Sequence, residues 1–198
     1  MSYGKELQQP LTRQLRIEDF QLSNEPPESA EDYEDVNFQL AGHDRLETQK
    51  VKFIDCNIGI QTAIEWVATL SNFRSCAIEI GRVGSLELTS VTMNSVEIRN
   101  VRAGYVNLGN AKLQDVVFKD CRFDSLDLFA TKLKRVSFQN CHVSDLDVRK
   151  LEAEHADLRG LSFDQIRGID SLRGATINED QLMQISKVLA INAAINVF

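Results

Sequence analysis

Between residues 36 and 170 the chain repeats every five residues. Divided without a gap into 27 pentads, this stretch is apolar at the first position in 23 and at the third in 24, from Val36 and Phe38 to Phe163 and Ile166. The second, fourth and fifth positions are apolar in only 3, 4 and 6. Neither a 3.6-residue helix nor an alternating strand gives that pattern. A short extended side followed by a turn, repeated, does. If four sides close one coil, residues twenty apart stack at about the 4.8 Å spacing of adjacent strands. One coil alone buries about eight side chains at roughly 2 kcal/mol each, against about 1–2 kcal/mol to order each of its twenty residues. Coils must therefore stack, each sealing the apolar layer and the backbone hydrogen bonds of the next.

The pentads Val106-Asn107-Leu108-Gly109-Asn110, Leu126-Asp127-Leu128-Phe129-Ala130 and Ala156-Asp157-Leu158-Arg159-Gly160 resemble the A(D/N)LXX unit of the pentapeptide-repeat family. The resemblance covers about two thirds of the chain. Asn or Asp fills the second position in only seven pentads, so the inward pattern is the stronger part of the match. The family resemblance implies an all-β solenoid, a right-handed quadrilateral β-helix, here of about 27 pentapeptide repeats with a C-terminal α-helical cap. Charge and period divide the chain into an acidic segment, 1–35, the coil, 36–170, and a cap with helix and apolar tail, 171–198.

Residues twenty apart should form ladders, Phe53 on Phe73, Phe118 on Phe138, Cys56 on Cys76 and Cys121 on Cys141. The cysteines show no metal-ligand spacing and read as small core residues. Residues 61–70 fit the period least well, and read either as distorted coil sides or as a short helical excursion. After Asp170 the period breaks. Asn178 with Gln181 forms a capping-box signal, and Leu182, Ile185, Val188 and Leu189 make one apolar face of a helix expected to cover the last coil. The terminal Ile195, Val197 and Phe198 stay apolar. Family members pair end to end through this region, so the resemblance suggests a homodimer tail, and a fold back over the chain's own coil is the alternative.

Residues 1–35 hold nine acids and three bases, and the run Glu31 to Asp35 reads as a solvated linker. Leu11, Leu15, Ile17, Phe20 and Leu22 need cover. In a strict pentad register Leu40, Ile60 and Ile80 fall at the outward fifth position one coil apart. They are expected to form an exterior apolar stripe, covered by the N-terminal segment or by a partner protein.

The net charge of -7 argues against direct nucleic-acid binding. No nucleotide, zinc-protease or hydrolase motif occurs, so no catalytic, cofactor or metal residue is assigned and an enzyme is not expected. Lys132, Lys134 and Arg135 cluster, but the register sets them beside Glu152, Glu154 and Asp115 as surface pairs. Without a signal peptide or a membrane-length apolar run, the chain is expected in the cytoplasm, off the membrane. The expected function is a non-enzymatic protein-interaction scaffold with an unknown protein partner. The alternative implied by the resemblance is a DNA-mimicking binder of DNA gyrase or topoisomerase IV. Eighteen acids and seventeen bases in the coil do not supply the continuous negative band that mimicry needs.

Overall fold

The pentads build one sheet of parallel strands wound into a solenoid, as the computed structural model, which describes residues 6–192 and 194, shows. A twenty-residue register holds from Asp32 beside Lys52 to Asp147 beside Arg167. We number the four faces from Val36, so that face 1 begins there, face 2 at Ala41, face 3 at Leu46 and face 4 at Val51. First- and third-position side chains fill the axis. Phe53 stacks on Phe73 with centroids 5.0 Å apart, and Phe118 on Phe138 at 4.7 Å. The inward polar residues Thr48, Ser71 and Thr131 are satisfied in place. Trp66 Nε1 donates to Thr48 Oγ1 at 2.8 Å, and the Ser71 hydroxyl to the Thr48 carbonyl at 2.6 Å. Residues 61–70 lie within this register, with Ala63 beside Val83 and Trp66 beside Leu86, and carry no helix.

Three of the four corners follow one conformational rule; the corner between faces 2 and 3, at Arg45, Glu65, Ser85, Tyr105, Ser125 and Asp145, uses no positive φ. Ala194 aside, every non-glycine residue of positive φ among the described residues has a number divisible by five. Asp, Asn and Ser dominate these positions, and no β-branched residue occurs at them. Asp and Asn accept the left-handed region far more readily than Val, Ile or Thr. Asp120 shows the consequence: at φ 54° it turns the chain between faces 1 and 2, and its Oδ1 accepts from Asn140 Nδ2 at 2.6 Å. Asp120→Ile should cost about 2–3 kcal/mol through backbone strain and the lost bond, read by urea denaturation; a change below about 0.5 kcal/mol would contradict this account of the corner.

The same rule corrects the expected exterior stripe. Leu40, Ile60 and Ile80 stand where Asn100, Asp120 and Asn140 turn the chain in later coils, but they do not adopt positive φ. The isoleucines resist that conformation, so each strand runs straight through the corner, from Val36 to Glu47, Asn57 to Val67 and Asn72 to Glu87. Alternation along the extended chain then sets Val36, Phe38 and Leu40 on one side, and Leu40, Ile60 and Ile80 are buried in the core. Ala41, Gln61 and Gly81, due inside, are exposed instead. Gly81 permits the close approach this requires, since a Cβ there would stand 2.6 Å from the Gln61 carbonyl oxygen.

Both ends depart from the expected boundaries. The run Glu31 to Asp35 is a coil side rather than a linker, because Tyr33 supplies an inward ring that packs on Phe38 and Phe53 while the acids point out. Asp32 pairs with Lys52 across the rung at 2.8 Å. Below it, strand Gln21–Ser23 joins Val36–Phe38 with a fifteen-residue offset. The twenty-residue register ends at Arg167, three residues early. Gly168 turns left-handed at φ 86°, and Ala175–Thr176 joins Ala156–Asp157 with a nineteen-residue offset.

Helix α1, Glu179–Asn192, follows. Its capping box is formed, with Gln181 N–H donating to Asn178 Oδ1 at 2.8 Å and Asn178 N–H to Gln181 Oε1 at 2.9 Å. Gln181 Nε2 also donates to the carbonyls of Leu158 and Leu161, at 2.7 and 2.6 Å. These bonds fix the helix rotation. Ile185 is buried and Val188 packs on the core, whereas Leu182 and Leu189, expected on the covering face, are exposed with Met183. Ile195, Val197 and Phe198 lie outside the described residues.

Candidate interaction surfaces

Outward residues twenty apart form straight columns, and seven of the coil's seventeen bases hold a carboxylate on another rung. Lys132 holds Glu152 at 2.8 Å, Lys134 holds Glu154 at 3.6 Å, Arg99 holds Glu79 at 2.9 Å, and Arg45 holds Glu65. These include the pairs that the register predicts for the lysine cluster. Exposed pairs of this kind contribute little individually, about 0–1 kcal/mol.

The corner between faces 4 and 1 is different. Arg135 grips Asp115 with two bonds of 2.6 Å, and their side chains are only 16% and 7% exposed. Burial opposes the Asp115 charge, but the guanidinium fork, the Leu11 N–H and the Gln114 amide outweigh it and hold the carboxyl below its ordinary range. Asp147 is held low in the same way by Arg149, against burial, and Asp157 mainly by its bond from Arg159.

The N-terminal segment runs along this corner instead of over the expected stripe. Gln8 N–H donates to His155 Nδ1 at 3.3 Å, Leu11 N–H to Asp115 Oδ1 at 3.0 Å, and Arg13 N–H to Ser95 Oγ at 3.1 Å. Arg13 then reaches Asp55 at 3.3 Å. The strap thus crosses successive rungs on side-chain bonds alone, and its Leu11 and Ile17 stay exposed.

Face 2 carries a further feature that the sequence reading passed over. Arg82, Arg102 and Arg122 occupy one column, with Thr62 below and His142 above. All three are exposed, and none makes an ion pair among the described residues. Beside Arg82 and Arg102 the neighbouring column is glycine, Gly84 and Gly104, and it ends beside Arg122 at Asp124, whose Oδ2 would stand 4.0 Å from a Cβ on Gly104. The twenty-residue spacing of the arginines was the available signal.

The four cysteines are free and buried, and each donates its thiol to backbone carbonyls, as Cys76 does to Phe53 O at 3.4 Å. Burial pushes the Cys76 thiol up to about 12, and the bond that the Cys121 thiol donates to Cys141, together with burial, raises Cys121. All four are core side chains; Cys56, Cys76 and Cys121 are held in the thiol form, while the bond from Cys121 lowers Cys141. Among the described residues no group of three or more His, Cys, Asp or Glu is placed to hold a metal, and no helix is long and apolar enough to cross a membrane.

No family model and no curated sequence matches the chain. Among solved structures it is similar to two trypsin-treated variants of QnrB1, a plasmid-mediated fluoroquinolone resistance protein. The first is 14% identical over 89% of this chain and 96% of that one, with a TM-score of 0.35. The second is 16% identical over 89% and 94%, with a TM-score of 0.32. Full-length QnrB1 is 11% identical over 80% and 99%, with a TM-score of 0.21. Likeness at that level carries no information on partner or activity.

Proposed function

We propose that the chain is a non-enzymatic protein-interaction scaffold of the pentapeptide-repeat type. The observation that carries this reading is the lattice of the exterior. A filled apolar axis fixes the wall, and the twenty-residue register sets outward side chains in straight columns one strand spacing apart. A periodic display on flat faces complements another macromolecule; the enclosure that a small substrate needs would have to come from elsewhere.

A topoisomerase partner is the second reading. What favours it is an acidic column on face 3, Glu87, Asp127 and Asp147, interrupted by Asn107. Duplex DNA carries one charge per about 1.7 Å of axis, whereas this column offers three acids over three rungs, about 14 Å. Arg149 also neutralises Asp147 at 2.6 Å.

Reconstitution separates the two. Proteins captured on the full chain from its native cell are identified, purified and titrated by calorimetry, with purified DNA gyrase in a supercoiling assay as the parallel arm. The scaffold reading expects a stoichiometric protein partner with a Kd of about micromolar or tighter, and unchanged supercoiling with or without a quinolone. Dose-dependent inhibition or quinolone protection would replace it with the DNA-mimic reading, and the absence of any titratable partner would end it.

A further inference from the structure

We propose that the column Arg82, Arg102 and Arg122, with His142 above it, docks an extended acidic segment of a partner protein running along the solenoid axis. This deepens the scaffold reading and rests on it.

The first argument is that these charges have no internal use. Arg45, Arg99, Arg135, Arg149, Arg159 and Arg167 each hold a carboxylate. Of the four coil arginines without an ion pair among the described residues, three stand in this column; the fourth, Arg74, lies on face 4. Arg122 lies directly beside Arg102, and Val83 beside Ala103 sets Arg82 one rung lower. Like charges directly opposite on neighbouring strands destabilise a sheet. Asp124 stands two residues from Arg122 on the same side of its strand but makes no ion pair among the described residues, so the column keeps a repulsion that an external anion would relieve.

The second argument is the ground beside the column. Gly84 and Gly104 present bare backbone next to Arg82 and Arg102. Added side chains are excluded there, since a Cβ on Gly84 would stand 2.6 Å from the Ile64 carbonyl oxygen and one on Gly104 2.8 Å from that of Gly84. An extended main chain can therefore lie close to the wall while its carboxylates reach the guanidinium groups, which bind carboxylates through paired donors.

The third argument is length. Arg82 to His142 spans three rungs, about 14 Å, and same-facing residues of an extended chain recur about every 6.8 Å. Three acidic side chains at alternate positions match the strip from end to end. A long polyanion fits poorly. Asp164 stands 3.5 Å from His142 Nε2 at the top, and the acids of face 3 flank the strip around the corner. Nucleic acid running past these groups would meet like charge along its length, whereas a short peptide meets Asp164 only at its end.

The test uses the full chain and a fluorescent peptide with aspartate at alternate positions, read by anisotropy at low salt. Its asparagine counterpart and an oligothymidylate of equal charge are the comparison probes. Two charge-matched triple variants are compared, R82Q/R102Q/R122Q on face 2 and K112Q/K132Q/K134Q on face 4. The proposal expects the aspartate peptide to bind best and to lose about tenfold or more in affinity in the face 2 variant, but less than about twofold in the face 4 variant. It also expects the face 2 variant to melt at or above the parent temperature, which a structural role for the arginines would not allow. Equal losses in both variants, no measurable peptide binding, tighter oligothymidylate binding, or a lowered melting temperature of the face 2 variant would each overturn it. If the strip fails while a reconstituted partner still binds both triple variants, the scaffold reading stands and the docking assignment alone falls.

Discussion

Phe118→Ala is expected to destabilise the protein by about 3–5 kcal/mol. Phe118 is 1% exposed and stacks on Phe138 at 4.7 Å with ring planes 7° apart. Ile98 lies on the rung below, at the same position of the coil. The cost falls at the upper end of such changes because the cavity has little means of closing. Its walls are hydrogen-bonded strands whose separation is set by the ladder, so neighbouring side chains must fill the gap without backbone collapse. Phe118→Leu keeps most of the volume and should cost about 1–1.5 kcal/mol. Urea denaturation measures both values. Hydrogen exchange locates the damage, with strands Thr92–Arg99 and Lys132–Gln139 expected to lose protection first. An alanine variant within about 1 kcal/mol of the parent would mean that the aromatic ladder does not hold the coil together.

The second large effect is expected at the corner. Arg135→Met removes one partner of a largely buried pair and leaves the Asp115 carboxylate with only the Leu11 N–H and the Gln114 amide. The loss should be about 3 kcal/mol, and Asp115→Asn in the same chain should recover most of it, because an uncompensated charge rather than a missing attraction causes it. The pH dependence follows from the same group. Asp115, Asp147 and Asp157 are held below the ordinary aspartate value of 3.8. The unfolded chain therefore takes up protons first, and the stability these carboxylates contribute is complete above 3.8 and lost as the pH falls through their lower folded values. Thermal melts should show a plateau from neutral pH down to about 4 and a fall below it. Arg135→Met should show a lower plateau and a shallower fall. A wild-type chain whose melting temperature instead rose as the pH dropped from 4 to 3 would contradict this assignment.

The periodic interior could be read from the sequence because every rung repeats the same demand. Phe53 and Phe73, Cys121 and Cys141, and the Lys132–Glu152 pair all follow from one twenty-residue interval and one inward rule. The corner at Leu40, Ile60 and Ile80 could not be read by counting positions. There the controlling quantity is backbone conformation, and β-branched side chains at 60 and 80 refuse the turn that Asn100 and Asp120 accept. That information was present in the residue types, but a strict pentad register assigns direction by number alone. Tyr33 was hidden for a related reason, since one ring among four acids suffices to make a coil side. The strap's path was not legible at all. It is set by backbone N–H groups meeting His155, Asp115 and Ser95, and backbone donors leave no trace in a pattern of side chains. The arginine column of face 2 was legible and was missed because opposite charges, rather than repeated like charges, account for the rest of the surface.

The strap also bears on how the molecule answers to mechanical load. A pull on the segment before Gln8 first meets the bond at His155, then those at Asp115, Ser95 and Asp55, and only afterwards the strand Gln21–Ser23 on the first coil. These contacts peel in sequence, whereas the rungs beneath must shear several parallel bonds together. The strap is thus a sacrificial tether, yielding slack under tension while the wound body stays intact.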